Sequence, residues 1–220
     1  LVCPSCKGTF KEIHDFNLMF PVQLGAEKDA GNLAYLRGET AQLIFTDFKL
    51  IVENARLQVP FGIAQMGKAF RNEISPRNFL FRLREFEQME LEYFVHPNKV
   101  NDCPYFSEVA LQEILVYSAA LQQAEKPAQR MTLQQAVDSK IISTIWHAYW
   151  LGKAYQWFIS LGANPAKFRI RQHLPNEKSH YALDTWDLEY EFPFGWKELE
   201  GMANRTDYDL RQHMQHSGKD

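Results

Sequence analysis

Two kinds of hydrophobic spacing take turns along the chain. In residues 39–55, ETAQLIFTDFKLIVENA, the apolar side chains Ala41, Ile44, Phe45, Phe48, Ile51, Val52 and Ala55 recur at three- and four-residue steps and define one face of an amphipathic helix. Residues 61–73 read instead as a strand, Pro76 falls in a connecting loop, and residues 79–95 read as a long returning strand, which predicts a hairpin. Helical spacing resumes over 106–126 and 132–161. Thr132 with Gln135 makes a capping box for the second of these stretches, and Gly162 followed by Asn164-Pro165 stops it. Trp146, Trp150, Tyr155 and Trp157 lie in this block and are expected in its core. Strand signals return in 167–173, 180–192 and 196–203, with Pro193-Phe194-Gly195 as the turn between the last two. Asp207 and Asp209 stand where they would cap a final helix. Together these elements predict an α+β fold with a mainly antiparallel sheet flanked by helices.

One stretch departs from ordinary surface or core composition. Residues 70–94, FRNEISPRNFLFRLREFEQMELEYF, hold four arginines, five glutamates and five phenylalanines. Side chains alternate across a strand, so Arg82, Arg84, Phe86, Gln88, Glu90 and Glu92 are expected on one face and Phe81, Leu83, Glu85, Glu87, Met89 and Leu91 on the other. Arg71 and Glu73 are likewise two apart on the incoming strand. Such a face lays out cations, an aromatic ring and carboxylates in order, which suits a ligand carrying a phosphate, a flat base and an ammonium group. The same residues also suit cross-strand ion pairs on a solvated face, and periodicity does not separate the two readings.

Composition bounds the rest. The chain has 220 residues, 45% of them apolar and 14% aromatic, enough for a packed core in one or two domains. The net charge of −3 provides no overall basic field for nucleic acid, so any such contact needs a local patch. Lys167, Arg169, Arg171 and His173 form one candidate stripe, for nucleic-acid phosphates or as a solvated strand face. Glu198 and Glu200 are expected on one side of their strand. No apolar run reaches the length of a membrane span. Three cysteines fit a reducing compartment, and the chain is expected in the cytoplasm. Cys3 and Cys6, as CPSC, supply half of a four-ligand zinc site, with His14 as a further candidate ligand; Cys103 is expected to be an ordinary free thiol. His180, His213 and His216 lack metal-ligand partners at suitable spacing.

FRNE, a proline-bearing loop and then Arg82-Leu-Arg-Glu-Phe86 resemble motif 2 of the class II aminoacyl-tRNA synthetases. The words FNLMF (16–20), YLRGETAQ (35–42), PFGIAQMGKAFRNEISPRN (60–78), REFEQMELEYF (84–94), SHYALDTWDLEY (179–190) and GWKELEGMANRTDYDL (195–210) are similar to the homodimeric glycyl-tRNA synthetases. The resemblance implies a six-stranded antiparallel catalytic sheet, ATP, Mg²⁺ and glycine at the active site, the glycine tRNA as acceptor, a homodimer, and Zn²⁺ as a candidate in the complete protein. By position it implies that Arg71 holds the ATP α-phosphate, Glu73 the adenine amino group and Phe86 the adenine ring. Asn72 would line the same cleft, and Phe81, Arg82, Leu83, Arg84 and Glu85 would close the nucleotide site, Arg82 toward the terminal phosphates. Glu39 and Glu90 would grip the glycine ammonium, with Phe86, Glu87, Gln88, Met89 and Glu90 as the pocket wall. Glu198 and Leu199 would contact ATP, Glu198 through Mg²⁺.

Gly38 and Leu43 stand where these synthetases usually have proline and glycine around ETAQ. Motif 1, motif 3 and an anticodon-binding domain are not found, and the chain is expected to be an internal piece of a longer synthetase. The expected parts are a partial zinc-ribbon-like segment at 1–15, a catalytic core with the hairpin at 16–100, a mainly helical insertion at 101–165 and a return to the core at 166–220. Another class II synthetase, an adenylate-forming ligase or a noncatalytic synthetase-like binding module remain as alternatives.

Overall fold

A computed structural model of the chain describes residues 2–9, 15–26 and 30–218. They fall into two compact units, Leu1–Phe94 and Val95–Asp220.

In the first unit, β1 (Phe20–Gln23) pairs antiparallel with β2 (Leu33–Leu36), α1 covers Ala41–Ala55, and β3 (Phe61–Phe70) pairs antiparallel with β4 (Glu85–Phe94). The helix follows its apolar stripe: Ala41, Ile44 and Phe45 are buried. Phe48 carries the stripe onto the hairpin, its ring centroid 5.9 Å from Phe61 and 4.7 Å from Phe94, while Phe45 lies 6.2 Å from Phe94. This aromatic cluster docks α1 on one end of the hairpin and leaves the other end to polar residues.

The second unit is built on five strands: β5 (Glu113–Tyr117), β6 (Gln129–Thr132), β7 (Phe168–Gln172), β8 (Asp184–Phe192) and β9 (Gly195–Asn204), in the order β6-β5-β7-β8-β9. Every pairing is antiparallel except β5 with β7. Its helices are α2 (Ala119–Gln123), α3 (Leu133–Asp138), α4 (Ile145–Ser160) and α5 (Tyr208–Ser217). Thr144 caps α4 by accepting from the His147 amide at 3.3 Å, and Gly162, at φ +94°, provides the left-handed residue beyond its end. Alternate strand residues Ile114, Val116, Phe168, Ile170, Trp186 and Leu188 are buried, and Tyr155 of α4 packs edge-on against Phe168 at 5.4 Å.

The α+β class and the largely antiparallel pairing follow the sequence pattern, and Thr132 with Gln135 forms the capping box. Four expectations need correction. The described strands pair as two two-stranded sheets and one five-stranded sheet in place of a six-stranded one. The helix over 106–126 is broken by β5, because EILVY has β-branched and aromatic side chains, alternates the buried Ile114 and Val116 with less buried positions, and finds a strand to pair with on either side. Asp207 occupies the N-cap position of α5 without bonding its backbone: its carboxylate takes Arg211 and that of Asp209 takes Arg205. Trp146 and Tyr155 are core residues, but Trp157 is 47% exposed.

Candidate active site

The register of the hairpin decides which side chains meet. Phe61 faces Phe94 and Phe70 faces Glu85, so Gln65 lies opposite Glu90, Gly67 opposite Gln88 and Ala69 opposite Phe86. Odd positions of β3 therefore share a face with even positions of β4. That face is the sheltered one: Phe86, Gln88, Glu90 and Glu92 are half-buried, whereas Glu85, Glu87, Met89 and Leu91 are exposed. The pairing continues past the strands, with the Arg71 amide donating to the Arg84 carbonyl at 3.0 Å.

Arg71 thus enters the same row as Phe86. Its guanidinium carbon stands 5.3 Å from the Phe86 ring centroid, its Nε donates to the Gly38 carbonyl at 3.3 Å, and its Nη2 lies 3.9 Å from Glu39 Oε1. Glu39 in turn accepts from Gln42 Nε2 at 3.1 Å. Farther along, Glu90 Oε2 accepts from the Thr40 amide at 2.5 Å and also from the Thr40 hydroxyl. Thr40 is fully buried and is the N-cap of α1, but its hydroxyl is spent on Glu90. The carboxylate accordingly sits at the helix N-terminus, where the backbone partial charge favours an anion.

Of the residues named from the sequence, the structure brings Arg71, Phe86, Gln88, Glu90 and Glu39 together. Glu73 and Arg82 meet each other at 3.5 Å, and the Glu73 carbonyl accepts from Arg84 Nε at 2.9 Å. Asn72 turns the other way, donating through Nδ2 to the Asn17 carbonyl at 3.2 Å. Two expectations fail for geometric reasons. Phe81, Arg82, Leu83 and Arg84 precede the strand, with Phe79–Phe81 in a 3₁₀ turn, so they do not extend its alternation. Glu85, Glu87 and Met89 point to the face opposite Phe86, Gln88 and Glu90; Glu85 pairs there with Lys68.

Sequence reasoning missed Arg37, Gln65 and Thr40. Arg37 Nε donates to the Lys68 carbonyl at 2.7 Å, and a Cβ on Gly67 would come within 2.0 Å of Arg37 Nη2. A glycine in mid-strand is the available signal, since it marks a close approach.

The second unit carries the remaining candidates. Leu199 is the extra residue of a bulge: Glu198 pairs with Glu189 and Glu200 with Leu188. Glu198 and Glu200 therefore project to opposite faces, which corrects the expectation of a shared side. Burial pushes the Glu200 carboxyl above its usual range. Glu198 Oε1 lies 2.9 Å from where a Gly201 Cβ would be. Three side chains of the basic stripe pair with acids: Arg169 meets Glu189 at 2.5 Å beside Trp196 and Tyr117, Arg171 forks to Glu177 at 2.8 Å, and His173 meets Asp187 at 2.8 Å.

Cys3 and Cys6 are free thiols on a tight turn closed by Lys7 N–H to the Cys3 carbonyl at 2.9 Å. The amides of Cys6 and Ser5 hold the Cys3 thiol below its usual range. His14 lies outside the described residues. Among the described residues no cluster of three or more metal-ligating side chains forms, so the thiol pair fits half of a zinc site. A single exposed carboxylate such as Glu198 fits Mg²⁺ differently, because that ion keeps waters and takes ligands from phosphates.

A hairpin presenting an arginine, a ring and carboxylates on one face agrees with a sequence-wide comparison. The chain belongs to the class II tRNA synthetase core-domain family: tRNA synthetase class II core domain (G, H, P, S and T) matches residues 27–187. Among curated relatives, the glycine–tRNA ligase of Pyrococcus horikoshii is 44% identical over 221 residues, covering 100% of this chain and 38% of that protein. That of Lysinibacillus sphaericus is 42% identical over 221 residues, covering 100% and 39%, and that of Bifidobacterium longum 42% over 225 residues, covering 100% and 37%. The chain thus spans about two-fifths of the length of these relatives. No helix among the described residues is long and apolar enough to cross a membrane.

Proposed function

We propose that this chain is the glycine-activating part of a glycine–tRNA ligase. In the first step the glycine carboxylate attacks the α-phosphorus of ATP, forming glycyl-adenylate and releasing pyrophosphate. In the second, a hydroxyl of the terminal ribose of the tRNA attacks the glycyl carbonyl, forming the ester and releasing AMP. Neither step needs a protein nucleophile, so the work is positioning and stabilisation of charge growing on the phosphate. The observation that carries the reading is the hairpin register, which aligns Arg71, Phe86 and Glu90 on one sheltered face under the Gly38–Thr40 loop.

Arg71 is assigned to the α-phosphate, Phe86 to the adenine ring and Glu73 to the adenine amino group. Glu39 and Glu90 are assigned to the glycine ammonium, with Gln88 on the pocket wall. Glu90 is well suited, since Thr40 fixes one carboxylate oxygen and no bond among the described residues takes the other. Glu198 and Leu199 of the second unit are assigned to ATP. Mg²⁺, when bound, would neutralise phosphate charge, and Glu198 is the residue that would hold it. Zn²⁺ on Cys3 and Cys6, pairing of two copies and a cytoplasmic site of action complete the proposal. The test is ATP–pyrophosphate exchange by the complete protein: it should depend on glycine. Exchange driven equally by other amino acids, or none at all, refutes it.

A further inference from the structure

We infer that Arg37 binds the carboxylate of the amino acid substrate, at a subsite over Gly67 lined by Gln65 and Gln88. This rests on the assignment of the hairpin face to glycine activation. Arg37 lies at the outer edge of β3: its carbonyl accepts from the Phe70 amide at 2.9 Å and its Nε donates to the Lys68 carbonyl at 2.7 Å. These two bonds carry the guanidinium over the strand onto the sheltered face. It reaches there because Gly67 has no side chain; a Cβ at that position would stand 2.0 Å from Nη2 and 3.2 Å from Cζ.

The position falls between the two groups assigned to the ends of the substrate. Along the face, Gly67 and its cross-strand partner Gln88 lie one step from Ala69 and Phe86 on one side and one step from Gln65 and Glu90 on the other. The guanidinium Nη groups have no hydrogen bond among the described residues, which leaves a planar pair of donors suited to a carboxylate. The side-chain carbonyls Gln65 Oε1 and Gln88 Oε1 are buried there without a hydrogen-bond partner, and buried acceptors of this kind call for a donor. A zwitterion with one carbon between its charges satisfies both demands: the ammonium turns to Glu90 and the amide carbonyls, the carboxylate to Arg37. Held so, the carboxylate is also aimed along the face toward Phe86 and Arg71, where the α-phosphate is assigned.

The test uses the complete protein and compares glycine with glycinamide, which keeps the ammonium and lacks the carboxylate. Arg37→Ala should raise the glycine KM in ATP–pyrophosphate exchange about ten- to hundredfold, while the ATP KM and the Ki of glycinamide as a competitor stay within about threefold. Gly67→Ala, which keeps Arg37 but fills its berth, should shift the same ratio in the same direction. It decides the matter if Arg37→Ala proves unfolded by circular dichroism. An unchanged glycine KM overturns the inference, as does parallel weakening of glycine and glycinamide, the signature of a merely structural arginine. Lack of glycine-dependent exchange in the unaltered protein removes the functional reading and this inference with it, whereas exchange that survives Arg37→Ala unchanged removes the inference alone.

Discussion

Glu90 and Thr40, 50 residues apart, are joined twice, by the threonine amide and by its hydroxyl, to the same carboxylate oxygen. The contact ties the N-terminus of α1 to the middle of β4. Thr40→Val keeps the volume and the amide bond but removes one bond to a charged acceptor. It should lower stability by about 1.5–3 kcal/mol, measured by urea denaturation. A loss below the error of that measurement would show that the hydroxyl bond contributes nothing.

Arg71 touches Gly38, Glu39 and Phe86 without being buried. Arg71→Ala in the complete protein should cut exchange about 10²–10³-fold, by analogy with removal of an oxyanion donor. The melting temperature should change little. Near-normal exchange would refute the phosphate assignment.

Glu200 is half-buried on the face it shares with Leu188, and this partial burial raises its folded-state pKa above the ordinary value of 4.5. A carboxyl whose folded pKa is raised contributes stability below its unfolded pKa and loses it as pH rises through the folded value. Glu200→Gln should therefore stabilise the protein at pH 7 and give little or no gain near pH 4. Denaturation curves across that window check the sign; a gain that grows toward acid would contradict it.

Gly152 lies in α4, where a Cβ would come within 2.6 Å of Val109 Cβ and 2.7 Å of Leu133 Cδ1. Helix propensity favours Ala over Gly by about 1 kcal/mol, but overpacking costs about 1–3 kcal/mol. Gly152→Ala should be net destabilising, with a lower urea midpoint. A higher midpoint would mean that Val109 and Leu133 move aside freely.

Much of this could be read in the sequence because it depends on local period. The stripe of α1, the hairpin and the capping box at Thr132 each follow from neighbours within a few residues. What failed depends on partners far along the chain. EILVY became a strand because β6 and β7 flank it, and the inserted Leu199 turned Glu200 inward. At the site, parity placed Arg71, Phe86 and Glu90 together, yet a span of consecutive residues such as 86–90 could not all line one pocket, since Glu87 and Met89 face away. Arg37 and Thr40 were illegible because they arrive from a separate loop; the glycine at position 67 announced Arg37 alone.

The alternation of the hairpin works as a reading frame. Residues may be added to or removed from the turn at 74–78 without altering which side chains look toward Arg37 and Thr40. A single residue inserted between Phe86 and Glu90 would exchange Glu90 for Met89 on that side, while two would restore the phase. Natural variation in length is therefore expected at the tip, and within β4 only in even steps.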